Sequence, residues 1–370
     1  MEQKSKHKNR KAVWIVLSTL LLIILAVAGY FAFRTPKESP VPGMTFEECL
    51  AYTTAETPEA KIGVVVLQNG IANITFYGNN AQVIPHDAYE FEIGSLTKTF
   101  TAALVTRAEL DGTLSLSDPI SRFIRLPKQA YYPTIERLLT HQSGYKSHYL
   151  ERPMIDNFLS GENSFYRISR SMLKQRVGKI RLEDRDYPFS YSNFGISVLG
   201  LLLEDVYQIS YTDLINTFVQ QELGMQHTYI SDGSRDLAGA WSWAADDAYL
   251  AAGALISTAD DMALYARALL QGSPACLKRA SEPLAAIQAT GGSFESLGIR
   301  MDACAACWMI DEAHDFLWHN GGTSNYASYL AFDPAQQIAV VVLTNLSPDY
   351  RIPATVLGTK LMLSLQEQAK

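Results

Sequence analysis

Positions 91–98 read Phe91-Glu92-Ile93-Gly94-Ser95-Leu96-Thr97-Lys98, with a serine and a lysine three residues apart at the start of a helix-like run that ends at Gly112. A helix beginning at Ser95 puts positions 95 and 98 on one face, with the ammonium over the hydroxyl. Ser95 then lies at the positive end of the helix, where negative charge developing during acyl transfer is stabilised. Lys98 acts as a base there only if burial or a neighbouring cation lowers its pKa. The spacing alone is weak, because Ser5/Lys8 and Ser171/Lys174 share it, one in a basic tail and one in a polar, basic stretch. An ordinary helix N-cap is the alternative role for Ser95.

Two later segments add chemistry. Tyr191-Ser192-Asn193 supplies a phenol and a carboxamide two residues apart, in a turn-like stretch after Pro188 and before a helix. A phenol near a lysine relays a proton, and an amide holds a substrate carbonyl. Tyr77-Gly78-Asn79 has the same spacing but precedes Ser95 and follows a strand. His319-Asn320-Gly321-Gly322 comes just before the final strands, on an expected edge strand, and its glycines let backbone N–H groups approach a bound carbonyl.

The rest of the chain frames these segments. Thr45 followed by Glu48 is a capping-box signal for a first helix running to about Tyr52. Residues 62–67 and 71–76 are β-rich runs around Gln68-Asn69-Gly70, which reads as a hairpin. Residues 328–332 and 338–344 form a second pair around Asp333-Pro334, and residues 353–368 have helical apolar spacing. Helical patterns cover 96–111, 134–139, 196–207, 211–221 and 259–271 between the two strand pairs. Strands, many helices, then strands and a helix predict an α+β fold: an antiparallel sheet joining both ends of the chain, flanked by helices, with an inserted helical region.

In chain order, Ser95/Lys98, Tyr191/Asn193 and His319/Gly321 resemble the three-motif signature of the serine β-lactamase and penicillin-binding protein superfamily. The Tyr-x-Asn and His-x-Gly forms resemble the class C β-lactamase-related branch, which includes D,D-carboxypeptidases, D-aminopeptidases and esterases. Flanking stretches are similar as well: 91–94, 114–119, 138–144, 223–225, 256–261 and 342–345. The likeness spans about residues 45–365 and implies a β-lactamase/transpeptidase-like fold. It implies Ser95 as the acylated nucleophile, with Lys98 and Tyr191 sharing the general-base and general-acid work. Asn193 would orient substrate, the amides of Ser95 and Gly322 would form the oxyanion hole, and His319 with Gly321 would line the opposite wall. No cofactor and no metal are implied. Histidine stands where strong β-lactamases usually have lysine, and an imidazole with a reference pKa of about 6.5 is mostly neutral at pH 7. That points to D,D-peptidase or esterase activity rather than efficient antibiotic hydrolysis. Ser324-Asn325-Tyr326 also departs from the Pro-Gly-Phe-like turn common after these glycines. The expected partner is a small-molecule or peptide substrate, peptidoglycan-derived peptides among them. A low-turnover penicillin-binding or sensing protein is the alternative function, although a cytoplasmic tail of about eleven residues is too short for a signalling domain.

Charge is unevenly spread over the 370 residues. Net charge is −7, yet residues 1–11 hold five cations against one acid, which leaves the remainder at −11. So acidic a body argues against nucleic-acid binding. Residues 12–33 carry no charge and would span roughly 33 Å as a helix, enough to cross a hydrocarbon core of about 30 Å. The reading is therefore a cytoplasmic tail (1–11), a single transmembrane helix (12–33), a Pro-rich linker (34–43) and an extracytoplasmic catalytic domain (44–370), held at the cell membrane. A signal peptide cleaved near Ala26-Val27-Ala28 is the alternative, but the apolar run continues past that point. Cys304 and Cys307 read as a local disulfide or two free thiols, since no second ligand pair stands at zinc spacing. His141, His148, His227 and His314 show no metal spacing and read as structural or exposed. A nucleophile elbow at Ser324 lacks its final glycine, which excludes an α/β-hydrolase.

Overall fold

The computed structural model describes residues 41–230 and 237–369. The expected transmembrane helix at 12–33, the tail before it and most of the linker lie outside the described residues. Among the described residues, no helix is long and apolar enough to cross a membrane. The chain divides after Gly43, and the body begins at Met44.

The body opens with the helix Phe46–Thr54, whose capping box is formed: Thr45 Oγ1 accepts from Glu48 N at 3.2 Å, and Thr45 N donates to Glu48 Oε2 at 2.9 Å. The strands follow as β1 (Ile62–Gln68), β2 (Ile71–Tyr77), β3 (Val83–Ile84), β4 (Glu90–Glu92), β5 (Tyr229–Ile230), β6 (Leu255–Thr258), β7 (Ala285–Ala286), β8 (Ala303–Cys304), β9 (Met309–Asp311), β10 (Phe316–Gly322), β11 (Ala327–Asp333) and β12 (Ile338–Thr344). Nine of them form one sheet in the order β3-β2-β1-β12-β11-β10-β9-β8-β7, and β4-β6-β5 form a small second sheet. Every pairing is antiparallel.

Hairpin β1–β2 turns on Asn69 and Gly70, both at positive φ, as a type I′ connection requires. Ile62 then pairs with Thr344, so the two ends of the body meet at the β1–β12 seam. Every residue of β11 and β12 is buried, because helices cover both sheet faces: Ala259–Gln271 packs on β1 and β12, and Ala354–Gln368 on β11 and β12. The fold is the α+β arrangement read from the sequence, an antiparallel sheet flanked by helices.

One expectation about this sheet needs correction. β10 is not an edge strand, since its first half, Phe316–Trp318, pairs with β9. Only residues 319–322 keep an open side, and that half faces the nucleophile turn.

Candidate active site

Ser95 lies in the 3-10 turn Gly94–Leu96 that leads into the helix Thr97–Leu110. Its neighbours on both sides are buried while Ser95 stays partly exposed. The turn is fixed at Ile93, whose N–H donates to Leu255 O at 3.0 Å and whose carbonyl accepts from Ser328 Oγ at 2.7 Å. One bond comes from the small sheet and the other from the large one, so the serine is clamped between them.

Glycines make the approach of β10 possible. A Cβ at Gly321 would fall 2.0 Å from Ile93 O, and one at Gly94 would fall 2.6 Å from Gly322 N. Gly94 also sits at φ +49°. Thr323 N donates to Tyr326 O, which makes 323/326, 321/328 and 319/330 the hydrogen-bonded pairs of β10 and β11. The Gly322 amide therefore points away from β11, toward the open side of β10.

Lys98 is wholly buried, with Nζ 2.7 Å from Ser95 Oγ and 2.6 Å from Ala252 O. Both partners are uncharged, and burial pulls its pKa down from the ordinary 10.5 to about 7. Cys307 lies close by, but burial raises its thiol to about 12, so at neutral pH it offers no counter-charge. A sizeable fraction of the lysine is thus free amine at neutral pH, the state a base requires.

Tyr191 shares a hydrogen bond with Ser95, and its ring centroid lies 4.9 Å from Lys98 Nζ. Burial raises its phenol well above the ordinary value, against the pull of the Ser95 bond. A phenolate is therefore scarce before substrate binds, and Lys98 is the better base of the two. Asn193 opens the helix Asn193–Tyr207, capped by Ser192, whose Oγ accepts from Gly195 N at 2.9 Å. Asn193 is half-buried, and its side chain does not border the cavity beside Ser95.

His319 lies on β10 with its ring 6.1 Å from that of Tyr191. Its Nδ1 is 2.6 Å from Asn320 O, and burial lowers its pKa to about 3. A carbonyl only accepts, so Nδ1 carries the proton and the buried, unpartnered Nε2 is a bare acceptor. The ring is neutral at any working pH.

His141, read from the sequence as structural or exposed, proves to be buried against the site. It is 1% exposed, and its ring stacks obliquely on Tyr191 at 4.6 Å. His141 Nδ1 accepts from Ser192 N at 3.2 Å, and His141 O accepts from Ser190 N at 2.9 Å, so this histidine brackets the tyrosine. No spacing rule links residues 141 and 191; only the fold joins them. We expect His141→Leu, which leaves the Ser192 N–H without an acceptor, to lose about 1–3 kcal/mol of stability in urea denaturation. Activity should fall with it as Tyr191 loosens.

The four cysteines are free and buried, so Cys304 and Cys307 form no disulfide. Among the described residues no cluster of His, Cys, Asp or Glu has a metal-holding geometry. The decoy Ser171 is exposed and bonds Ser169 Oγ rather than Lys174.

Beside Ser95 opens a cavity of about 590 Å³, bordered by Tyr191, by residues 318–322 of β10, by the start of the C-terminal helix and by Phe294, Leu297, Ile299 and Met301. Its walls are mostly apolar.

Comparison with known proteins agrees with this fold. A β-lactamase from Providencia stuartii is 28% identical over 174 residues, 46% of this chain and 42% of that protein. The chain spans about half the length of the curated relatives it matches. An octameric penicillin-binding protein homologue from Pyrococcus abyssi superposes with a TM-score of 0.69 at 21% identity, covering 86% of this chain and 75% of that one. A β-lactamase/D-alanine carboxypeptidase from Yersinia pestis gives 0.67 at 19% identity, covering 86% and 96%. At such identities these structures speak for the fold alone. The family model described as Beta-lactamase, however, matches residues 89–357, which is most of the chain and all of the site above, and this protein belongs to the β-lactamase family.

Proposed function

We propose that this protein is a serine hydrolase that cleaves peptide or ester carbonyls through an acyl-enzyme on Ser95. The observation that carries the proposal is the wholly buried amine of Lys98 held 2.7 Å from the Ser95 hydroxyl. In the first half-reaction Lys98 takes the Ser95 proton as Oγ bonds to the carbonyl carbon. The resulting oxyanion is held by the amides of Ser95 and Gly322, at the head of a helix and on the open side of β10. The proton passes by way of Lys98 and Tyr191 to the departing nitrogen or oxygen, and the carbon–heteroatom bond breaks. Water then gives its proton back through the same pair, attacks the ester and frees Ser95. His319, on the cavity wall, would orient the substrate. Residues 12–33 would hold the domain on the outer face of the cell membrane, a role their uncharged length supports.

Labelling with a fluorescent fluorophosphonate tests the reading. One equivalent should attach to wild-type protein and none to Ser95→Ala. A label that persists in Ser95→Ala would refute it.

A further inference from the structure

The cavity beside Ser95 narrows the substrate class, given the reading of Ser95 as nucleophile. Phe189, Leu297, Ile299, Met301, Trp318 and Val356 form its walls, and among the described residues none that borders it is charged. At about 590 Å³ it holds a sizeable group, well within the range of ordinary ligand pockets. Its polar atoms are few and mostly engaged. Asn320 Nδ2 donates to Thr355 Oγ1 at 2.9 Å, and Trp318 Nε1 donates to Arg300 O at 2.8 Å.

The nearby guanidinium groups are turned elsewhere. The Arg300 guanidinium lies on the Asp302 carboxylate at 2.8 and 2.9 Å, and Arg351 donates to Tyr52 O and Ala55 O. The free Nε2 of His319 is a lone pair, which welcomes a donor and repels a carboxylate. An anion filling this cavity would lose its hydration with no ion on the walls to replace it.

We propose that the group filling this cavity is uncharged and apolar, aliphatic or aromatic, and that acyl compounds presenting a carboxylate there are poor substrates. A neutral ester or amide satisfies that description. A peptide whose free C-terminal carboxylate must enter the cavity does not.

The test uses purified full-length protein and two sets of model esters. In the acyl set, p-nitrophenyl acetate, butyrate and hexanoate are compared, together with p-nitrophenyl pentanoate against the p-nitrophenyl monoester of glutaric acid. In the alcohol set, 4-alkylphenyl acetates are compared with 4-carboxyphenyl acetate. Whichever half of the substrate occupies the cavity should show kcat/KM rising about fourfold per added methylene. The same half should favour the neutral compound over its carboxylate partner by about a hundredfold or more. Phe294, at the cavity edge and 47% exposed, is replaceable without disturbing the core. Phe294→Lys should narrow the neutral-over-carboxylate preference about tenfold. Ser95-dependent turnover that ignores chain length in both sets, or that favours the carboxylate compounds, overturns this inference and leaves the hydrolase reading standing. Absence of any Ser95-dependent turnover of these activated esters overturns both.

Discussion

Lys98→Met should lower the rate of Ser95 acylation by three orders of magnitude or more and, at the same time, make the protein more stable. The loss follows from removing the base that touches the nucleophile. The gain follows from linkage. Burial lowers the folded-state pKa of Lys98 from 10.5 to about 7, so between those values the unfolded chain binds more protons than the folded one. Stability contributed at this site therefore rises with pH from about 7 to 10.5, and below about pH 7 the full penalty of a buried ammonium is present. A tenfold change in proton affinity corresponds to about 1.4 kcal/mol, which makes the penalty several kcal/mol near neutral pH. Methionine removes it but leaves Ala252 O without its donor, which returns about 1–3 kcal/mol. A net gain of a few kcal/mol at pH 7, shrinking toward pH 10, is the expected result in urea denaturation. A Lys98→Met protein less stable than wild type at pH 7 would show that the lysine is held by favourable interactions rather than against its desolvation.

Gly321→Ala should be severely damaging although it alters no chemical group. The added methyl would lie 2.0 Å from Ile93 O and 2.5 Å from Ser328 Oγ. The first neighbour is backbone, so no rotamer relieves the clash and β10 must move off the nucleophile turn. Overpacking of this kind costs about 1–3 kcal/mol or more. Displacing the Gly322 amide by about 1 Å should lower kcat about a hundredfold, the usual penalty for losing one oxyanion donor. Wild-type kcat in Gly321→Ala would mean that β10 is not pressed against Ser95 as described.

Much of this architecture is written locally in the chain. The Thr45/Glu48 capping box, the Asn69-Gly70 turn and the apolar runs at 329–332 and 338–343 each report on contacts within a few residues, so their boundaries are legible to within one or two positions. The helix before Tyr207 starts at Asn193 rather than 196, because Ser192 caps it. The nucleophile turn is likewise displaced: Gly94–Leu96 is 3-10, and the α-helix proper begins at Thr97.

What the sequence hides is set by distant partners. β7, β8 and β9 are two or three residues long, too short for any periodicity, and so β10 reads as an edge strand. Helices Arg152–Ser160 and Arg170–Lys179 lie in a loop-like region whose polar composition masks them. The three motifs identify Ser95, Lys98, Tyr191 and His319, and the fold brings these four together. His141 lies in the family-like stretch 138–144, but nothing in that stretch points to Tyr191. Nor does composition reveal that Lys98 lacks a carboxylate partner among the described residues, the fact on which its basicity depends.

The pH dependence of Ser95 acylation, followed by intact-protein mass spectrometry with a neutral ester or fluorophosphonate, tests the central claim most directly. A free amine at position 98 must accept the proton, so the rate should climb as pH rises and reach half its plateau near pH 7. A rate that stays flat from about pH 5 to 9, or that climbs only above about pH 9, would contradict a buried, neutral Lys98 acting as the base.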